Sequence, residues 1–333
     1  MLQLQCGRRQ ALAVMAAGAA SVAIPCFDPR EAHAQSGRNT PLRLVVPYPP
    51  GGSSDRAARL LGEALQPRIE RPVLVENVTG AGGRLAMRQL AGETEGGDVL
   101  VLANPALMTV APLVYRDIGY APSRDFQPVS QITRYEFAIA VGSGVSARDV
   151  GELMDWVRAN PGKVNIGVPA TGSLPHFFAL MLGDAAGVQA PVIGFRGSAP
   201  LLTDLMGGHV PIAVDTFDSV LPQHQGGKVR ILATSGPERI LKDIPTLREG
   251  GVDVQASGWN TFFAKASMPG QTLASFAREI AQTMRDEKLR EKFAAASMDP
   301  VSSGVEETRQ MLADFDDQWV PAIRKADLKL EQG

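Results

Sequence analysis

Short apolar runs alternate with amphipathic segments along most of the chain. The run LRLVV at residues 42–46 predicts a buried strand, and apolar positions at helical spacing predict a helix at residues 56–65. Further strands are predicted at residues 73–78, 98–104, 137–144, 164–169, 190–195, 210–216, 229–235 and 259–264. Further helices are predicted at residues 86–91, 147–160, 176–186, 199–206, 272–284, 287–296 and 306–326. This alternation predicts an α/β fold in which helices flank mainly parallel sheets.

Length and composition narrow the class of protein. The chain has 333 residues, of which 44% are hydrophobic and 20% are charged, as in ordinary globular proteins. This length favours two domains over one large doubly wound domain. The formal net charge of -2 and the lack of a basic stripe interleaved with aromatic residues give no basis for nucleic-acid binding.

The first 34 residues have the three parts of a secretory signal peptide. A pair of arginines precedes an apolar stretch at residues 11–24, and the small-residue site AHA ends at Ala34. The arginine pair leaves twin-arginine export open beside the general secretory route. We therefore predict that residues 1–34 are removed and that both cysteines, Cys6 and Cys26, leave with them. No later stretch is apolar for long enough to predict a membrane span.

A glycine-rich turn joins the first predicted strand to the first predicted helix. It reads YPPGGSSD, and Gly51 and Gly52 permit backbone conformations that other residues avoid. Ser53, Ser54 and Asp55 are all residues that favour helix caps. Because a helix N-terminus carries unpaired N–H groups and a partial positive charge, this turn could seat a carboxylate or a phosphate. The alternative is a tight turn with an ordinary cap.

A second turn of the same design follows the strand at residues 164–169. It reads PATGSLPH and leads into another predicted helix. Ligands of open α/β sheets bind beyond the carboxyl ends of strands, so the two turns could face each other across a cleft. Neither turn contains lysine, which predicts that an anion is held by amides, hydroxyls and water rather than by an ion pair. His176 either contacts the ligand or caps its own turn.

Two further side chains have a binding and a structural interpretation. Arg196 stands beside a Gly-Ser turn and is either a partner for a ligand carboxylate or a solvated loop charge. Asp215 ends an apolar strand and either accepts an amine or hydroxyl of the ligand or caps the next helix.

Motifs for enzymatic chemistry are incomplete. The segment GAGGRLA has Leu85 where a dinucleotide fingerprint needs its third glycine, and neither a phosphate-loop GK[ST] nor a G-x-S-x-G elbow occurs. The histidines beyond the export segment lack metal-ligand spacing. We therefore predict a protein that is not an enzyme and needs no cofactor or metal. The alternative of another class is a secreted hydrolase using Ser53 or Ser173.

Six segments occur in an order that resembles one known family. They are VPYPPGGSSD, VENVTGAGG, GSLPHFFALML, GFRGSAPLLTDLMGGHV, VRILATSGPERI and DIPTLREGG. Together they resemble the Bug family, the periplasmic solute-binding proteins of tripartite tricarboxylate transporters, over residues 42–328. The resemblance implies a two-domain periplasmic binding protein of the Venus-flytrap, type II-like, class. Domain 1 would take residues 41–141 and 257–333, and domain 2 would take residues 142–256.

The resemblance also implies a binding site. In the family, the turns that match residues 48–55 and 170–176 grip a ligand carboxylate, partly through water, and other residues contact the rest of the ligand. The implied ligand-binding residues are Tyr48, Pro50, Gly51, Gly52, Ser53, Ser54, Asp55, Asn104, Ala170, Thr171, Gly172, Ser173, His176, Arg196 and Asp215. This chain departs from the family's usual pattern at residues 79–83, 96–99 and 264–272, all outside the two turns.

The implied ligand is a small carboxylate: a dicarboxylate, a tricarboxylate, an amino acid or an aromatic acid. The implied partners are the inner-membrane permease subunits of a tripartite transporter, and a sensor kinase is the alternative for a signalling role. A monomer is favoured.

Overall fold

The computed structural model describes residues 40–93, 98–188, 190–325 and 327–331. The predicted signal peptide at residues 1–34 and the end of the last predicted helix, at Ala326, lie outside the described residues.

Strands and helices alternate along the described chain. The strands are β1 (Leu42–Val46), β2 (Val73–Asn77), β3 (Val99–Ala103), β4 (Phe126–Val141), β5 (Ile166–Val168), β6 (Val192–Gly194), β7 (Ile212–Thr216), β8 (Arg230–Thr234), β9 (Ser257–Lys265) and β10 (Asp299–Pro300). The helices are α1 (Ser53–Ile69), α2 (Arg84–Gly92), α3 (Ala111–Val114), α4 (Pro122–Asp125), α5 (Val150–Ala159), α6 (Leu174–Ala186), α7 (Ser198–Met206), α8 (Phe217–Gln225), α9 (Gly270–Thr283), α10 (Glu287–Ala295) and α11 (Val305–Lys325). A 3-10 turn at Ala81–Gly83 precedes α2, and a π-helical turn at Ala106–Val110 precedes α3.

The first half-sheet is formed by β2, β1, β3, β9 and residues 126–136 of β4, in that order. β1 runs parallel to both β2 and β3, whereas β9 runs antiparallel to β3 and β4. Every residue of β3 is buried, as expected of a strand covered by helices on both faces.

The second half-sheet contains residues 137–141 of β4 with β7, β8, β5 and β6. β5 runs parallel to β6 and to β7, and β4 runs antiparallel to β7 and β8. One continuous strand therefore belongs to both half-sheets, and the carboxyl ends of β1 and β5 lie in different halves.

Separate hydrophobic clusters cover the sheet faces. One packs α1 and α9 on the first half-sheet through side chains such as Leu61 and Ile280. Another packs α7 and α8 on the second half-sheet through Leu205 and Val220. A third cluster extends over residues from both halves, including Val101 and Phe178. Within the described residues, no helix has the length and apolar character needed to cross a membrane.

The predicted α/β fold is confirmed, but the expectation of mainly parallel sheets is wrong, because β4 and β9 pair antiparallel with their neighbours. Particular elements also differ. The strand predicted at residues 137–144 is the last part of β4, which begins at Phe126. Helix α8 was not predicted, because its sequence FDSVLPQHQ follows β7 without a turn and contains Pro222. Helix α1 begins at Ser53, three residues before its predicted start, so Gly52 and not a serine is the N-cap.

Candidate ligand-binding site

The first turn, residues 47–52 between β1 and α1, is shaped by one glycine and one buried carboxylate. Gly51 has a φ of 84°, in the left-handed region. Its N–H donates to Asp55 Oδ2 at 2.8 Å, and Asp55 also accepts from Asn77 and Arg59. Burial alone would raise the pKa of Asp55, but the hydrogen bonds from Arg59, Gly51 and Asn77 together lower it. Asp55 is thus an ionised carboxylate that holds the turn in place, and both of its oxygens already accept hydrogen bonds.

The N-terminus of α1 is left open by this arrangement. No side chain of the described residues forms a capping hydrogen bond to the helix, and Arg56 N–H is the first to bond back, to Gly52 O at 3.0 Å. The amides at the start of a helix have no intrahelical acceptor. The first turn therefore presents N–H groups and a positive helix end at the carboxyl end of β1.

The second turn, residues 169–173 between β5 and α6, is capped from within. Gly172 has a φ of 74°, and its N–H donates to His176 Nδ1 at 2.9 Å. The Ser173 hydroxyl caps α6 by accepting from His176 N–H at 3.4 Å. Burial lowers the pKa of His176, which favours the neutral ring that this acceptor role requires. Of the two interpretations of His176, turn capping is the one seen in this structure.

Each turn lies against a loop of the other half, and we call the space between the two turns the cleft. A methyl group built on Gly197, just beyond β6, would lie 3.8 Å from Pro49 Cγ. One built on Gly82 would lie 3.9 Å from Thr171 O, and the Tyr115 hydroxyl donates to the same carbonyl at 3.4 Å. Residues of the first half-sheet therefore meet residues of the second half-sheet beside both turns.

An ion pair also joins the two halves. Arg56, on α1, donates from Nη2 to Asp218 Oδ2 at 2.5 Å and from Nη1 to Gly51 O at 2.9 Å. Asp218 lies on α8 and is buried. Burial raises the pKa of Asp218, while the charge of Arg56 and the hydroxyls of Thr216 and Ser53 oppose that rise. This contact was not predicted, since its partners stand 162 residues apart.

Asp215, the penultimate residue of β7, has one carboxylate oxygen without a hydrogen-bond partner among the described residues. Its Oδ1 accepts from Thr216 N–H at 2.7 Å, whereas Oδ2 is enclosed and has no hydrogen-bond partner among the described residues. Burial raises the pKa of Asp215 to about 7, although the Ser198 side chain acts against the shift. A buried polar atom without a partner is costly, so Oδ2 is a candidate contact for a ligand donor.

Two tyrosines, Tyr48 and Tyr135, lie near the first turn and these carboxylates. Tyr48 donates to Asn104 Oδ1 at 2.9 Å. Burial raises the pKa of Tyr135, and the neighbouring Tyr48, Asp218 and Asp215 raise it further. Tyr135, on β4, is therefore close enough to Tyr48, Asp215 and Asp218 to interact electrostatically with all three.

The remaining predicted site residues occupy varied environments. The Ser54 hydroxyl donates to Asn260 Oδ1 at 3.0 Å, and the Asn260 amide donates to Thr133 Oγ1 at 2.9 Å, so β9 and β4 position it. Ala170 O accepts from Ser173 N–H at 3.2 Å inside the second turn. Pro50 is exposed, and exposed Arg196 has no ion-pair partner among the described residues.

Arg84 was overlooked in the sequence, although it directly follows the pair Gly82-Gly83 after β2. It is 5% exposed, and its guanidinium stacks on the Tyr115 ring with 3.5 Å between Cζ and the ring centroid. An arginine at the start of a helix beside a glycine-rich loop is the signal that could have identified it.

The structure gives no support to the hydrolase alternative at either serine. In the part of the chain that is described, neither the Ser53 nor the Ser173 hydroxyl bonds to a histidine ring nitrogen. Nor do the described residues contain a group of three or more His, Cys, Asp or Glu side chains placed to hold a metal.

Comparison with known proteins places this geometry in a family. Residues 57–328 match the sequence model described as the tripartite tricarboxylate transporter family receptor, TctC. Protein BugT of Bordetella pertussis is 28% identical over 295 residues, which cover 87% of this chain and 90% of BugT.

Two solved structures are similar over the same region. R. palustris Rpa4515, solved with adipate, is 26% identical with a TM-score of 0.83, covering 87% of this chain and 98% of Rpa4515. The periplasmic binding protein BugD is 26% identical with a TM-score of 0.80, covering 88% of this chain and 99% of BugD. The predicted resemblance is thus confirmed: this chain has the α/β fold of two-domain periplasmic binding proteins and belongs to the TctC family of tripartite tricarboxylate transporter receptors.

Proposed function

We propose that the mature chain is a periplasmic receptor that captures a small carboxylate between the two turns. It delivers the ligand to the inner-membrane subunits of a tripartite transporter and carries out no chemistry on it. The family description supports the receptor role and the transporter partner. Residues 1–34 act as the export signal in this proposal.

The observation that carries the proposal is the open N-terminus of α1 beside the second turn. A carboxylate placed there would accept hydrogen bonds from the amides at the start of α1 and lie at the positive end of the helix. The first turn has Gly51 in the left-handed region, and the ionised Asp55 accepts a hydrogen bond from its N–H. The amides are therefore fixed in place before the ligand arrives, which lowers the entropic cost of binding.

Asp215 offers a contact for a polar group on the rest of the ligand. Its unpartnered Oδ2 accepts a hydrogen bond from a hydroxyl or amine, or donates one when the carboxyl is protonated. The adipate in the structure of Rpa4515 supports a small organic acid as the ligand of this chain.

Ligand entry requires the halves to separate. We assign residues 41–141 and 257–333 to one domain and residues 142–256 to the other, with residues 137–141 crossing into the second half-sheet. β4 and the segment before β9 connect the domains and bend as a hinge. Opening would break the Arg56–Asp218 ion pair and the Tyr115–Thr171 hydrogen bond, and ligand capture would restore both.

Melting temperature with a panel of carboxylates tests the proposal. The protein beginning at Gln35 is heated with small dicarboxylates, tricarboxylates, amino acids and aromatic acids, each paired with its neutral methyl ester. A carboxylate present at about 100 times its Kd should stabilise the fold by about 2.7 kcal/mol, whereas its ester should not. Equal stabilisation by acid and ester, or none by any acid, contradicts the proposal. Native mass spectrometry of freshly purified protein identifies a ligand retained from the cell.

Hydrolysis of the esters is followed in the same samples. Release of alcohol that is lost in Ser53→Ala or Ser173→Ala protein would restore the hydrolase alternative. A neighbouring sensor-kinase gene without permease genes would instead favour a signalling role.

A further inference from the structure

Arg84 occupies an unusual place at the edge of the cleft. It is the first residue of α2 and follows the 3-10 turn at Ala81–Gly83. Its side chain is 5% exposed. Arginine is seldom buried to this extent unless an acidic group pairs with it.

No such partner is present in the described part of the chain. Arg84 has neither an ion pair nor a side-chain hydrogen bond to another described residue. Its guanidinium stacks on the Tyr115 ring. Nη2 of Arg71 is fully enclosed and has no hydrogen-bond partner, but no side-chain nitrogen of Arg84 is in that situation. The guanidinium therefore retains donors that open onto solvent-accessible space, and the Tyr115 ring holds the group in one plane.

The open donors of Arg84 lie where the two halves meet. A methyl group built on Gly82 would be 3.5 Å from Arg84 Nη1 and 3.9 Å from Thr171 O, in the second turn. Tyr115, which stacks on Arg84, donates to the same carbonyl. On the other side, a methyl group built on Gly83 would be 3.0 Å from Pro47 Cβ, at the start of the first turn.

The other arginines beside the first turn have carboxylate partners. Arg56 pairs with Asp218, and Arg59 pairs with Asp55. Arg84 is therefore an uncompensated cation at the cleft, in a place separate from the start of α1. Arg84 lies near Gly82, Tyr115 and Tyr120, whereas the start of α1 lies near Asp55, Asp218 and Asn260.

We infer that Arg84 binds a second carboxylate of the ligand, which makes this receptor selective for dicarboxylates over monocarboxylates. The inference rests on the proposed function, in which the amides of the turns hold the first carboxylate. A planar guanidinium fixed on an aromatic ring presents two parallel N–H donors that match the two oxygens of a carboxylate. The carboxyls of Asp215 and Asp218 disfavour a second anion on their side of the cleft.

Calorimetric titration with matched acids tests the inference. Adipate and succinate are compared with hexanoate and butyrate, on the wild-type mature protein and on Arg84→Met. The wild type should bind the better dicarboxylate at least about tenfold more tightly than the monocarboxylate of the same length. Arg84→Met should lose about tenfold or more for the dicarboxylate and less than about threefold for the monocarboxylate, because only the former loses a charge-assisted contact.

The control is Arg88→Met, which removes an exposed arginine one turn further along α2 and should leave both affinities unchanged. If Arg84→Met does not fold, Arg84→Lys keeps the charge but not the planar fork. It should weaken dicarboxylate binding by about threefold or more and spare the monocarboxylate.

The outcomes separate the two proposals. A wild-type protein that binds the dicarboxylate while Arg84 variants bind it equally well overturns the inference alone. Equal losses for both acids overturn it too, since Arg84 would then act on the fold or on the first carboxylate. A wild-type protein that binds no acid in the wider panel overturns the proposed function, and this inference with it.

Discussion

The two glycines of the first turn should respond differently to the same substitution. Gly51 has a φ of 84°, and a methyl group built on it meets no atom of the described residues within 4 Å. Gly52 has a φ of −73° and a ψ of 171°, and its methyl group would lie 3.7 Å from Pro49 O, an ordinary contact. Gly51→Ala therefore introduces backbone strain without a clash, and Gly52→Ala introduces neither.

The expected changes in the free energy of unfolding follow from these backbone angles. An L-residue in the left-handed region costs roughly 1–2 kcal/mol, and the loss of glycine's freedom in the unfolded chain returns about 0.4–1 kcal/mol. Gly51→Ala should thus lower the free energy of unfolding by about 1 kcal/mol. Gly52→Ala should leave it unchanged or raise it by about 0.5 kcal/mol.

Ligand affinity, unlike stability, should depend strongly on the residue at position 52 when its side chain is larger than a methyl group. Gly52→Val leaves the backbone unstrained but places a branched side chain at the N-cap of α1, beside the amides proposed to hold the carboxylate. It should abolish binding while unfolding near the wild-type denaturant concentration.

Urea denaturation and calorimetry with the best carboxylate of the panel measure the two effects. Wild-type affinity in Gly52→Val would show that the start of α1 is not the ligand seat. Wild-type stability in Gly51→Ala would show that the left-handed turn is not required.

Three shorter predictions concern the cleft and the export segment. Arg56→Ala should lower the free energy of unfolding by about 1–3 kcal/mol in urea titrations, because it leaves the buried Asp218 carboxylate unpaired, and Arg56→Ala/Asp218→Asn should recover part of the loss. Burial raises the pKa of Asp215 from 3.8 to about 7, so its stabilising contribution is present at low pH and lost as the pH rises towards 7. Asp215→Asn should therefore raise the melting temperature more at about pH 8 than at about pH 5, and an equal change at both would contradict the shift. Thiol labelling of the denatured periplasmic protein should give no signal, whereas a labelled chain would mean that Cys26 is retained and that cleavage does not precede Gln35.

Sequence patterns predicted the strands whose residues are uniformly apolar and failed for the first part of β4. Residues 126–136 read FQPVSQITRYE, with Pro128 and several polar side chains in place of a clear alternation. Ser130 and Thr133 are nonetheless buried, because Ser130 donates to Ser303 O and Thr133 accepts from Asn260. These partners lie 173 and 127 residues away, so no local pattern records them.

The site shows the same division between local and long-range information. Both turns could be located from their glycines and capping residues, since turn chemistry depends on neighbouring residues. Their closeness to each other, the pairing of Arg56 with Asp218 and the stacking of Arg84 on Tyr115 depend on the folded arrangement. Arg84 was also not identified because the segment GAGGRLA was tested only as a dinucleotide motif. That test depends on the glycines before Arg84 and on Leu85 after it.

A crystal structure of the mature protein with its best-bound carboxylate would test the central claim most directly. The account predicts that one carboxylate lies about 2.7–3.2 Å from amides at the start of α1 and also contacts the second turn, directly or through water. The account would be contradicted if the ligand occupied the groove of about 510 Å³ between β4, β9 and α11, beside Arg134 and Trp259, and left both turns without it.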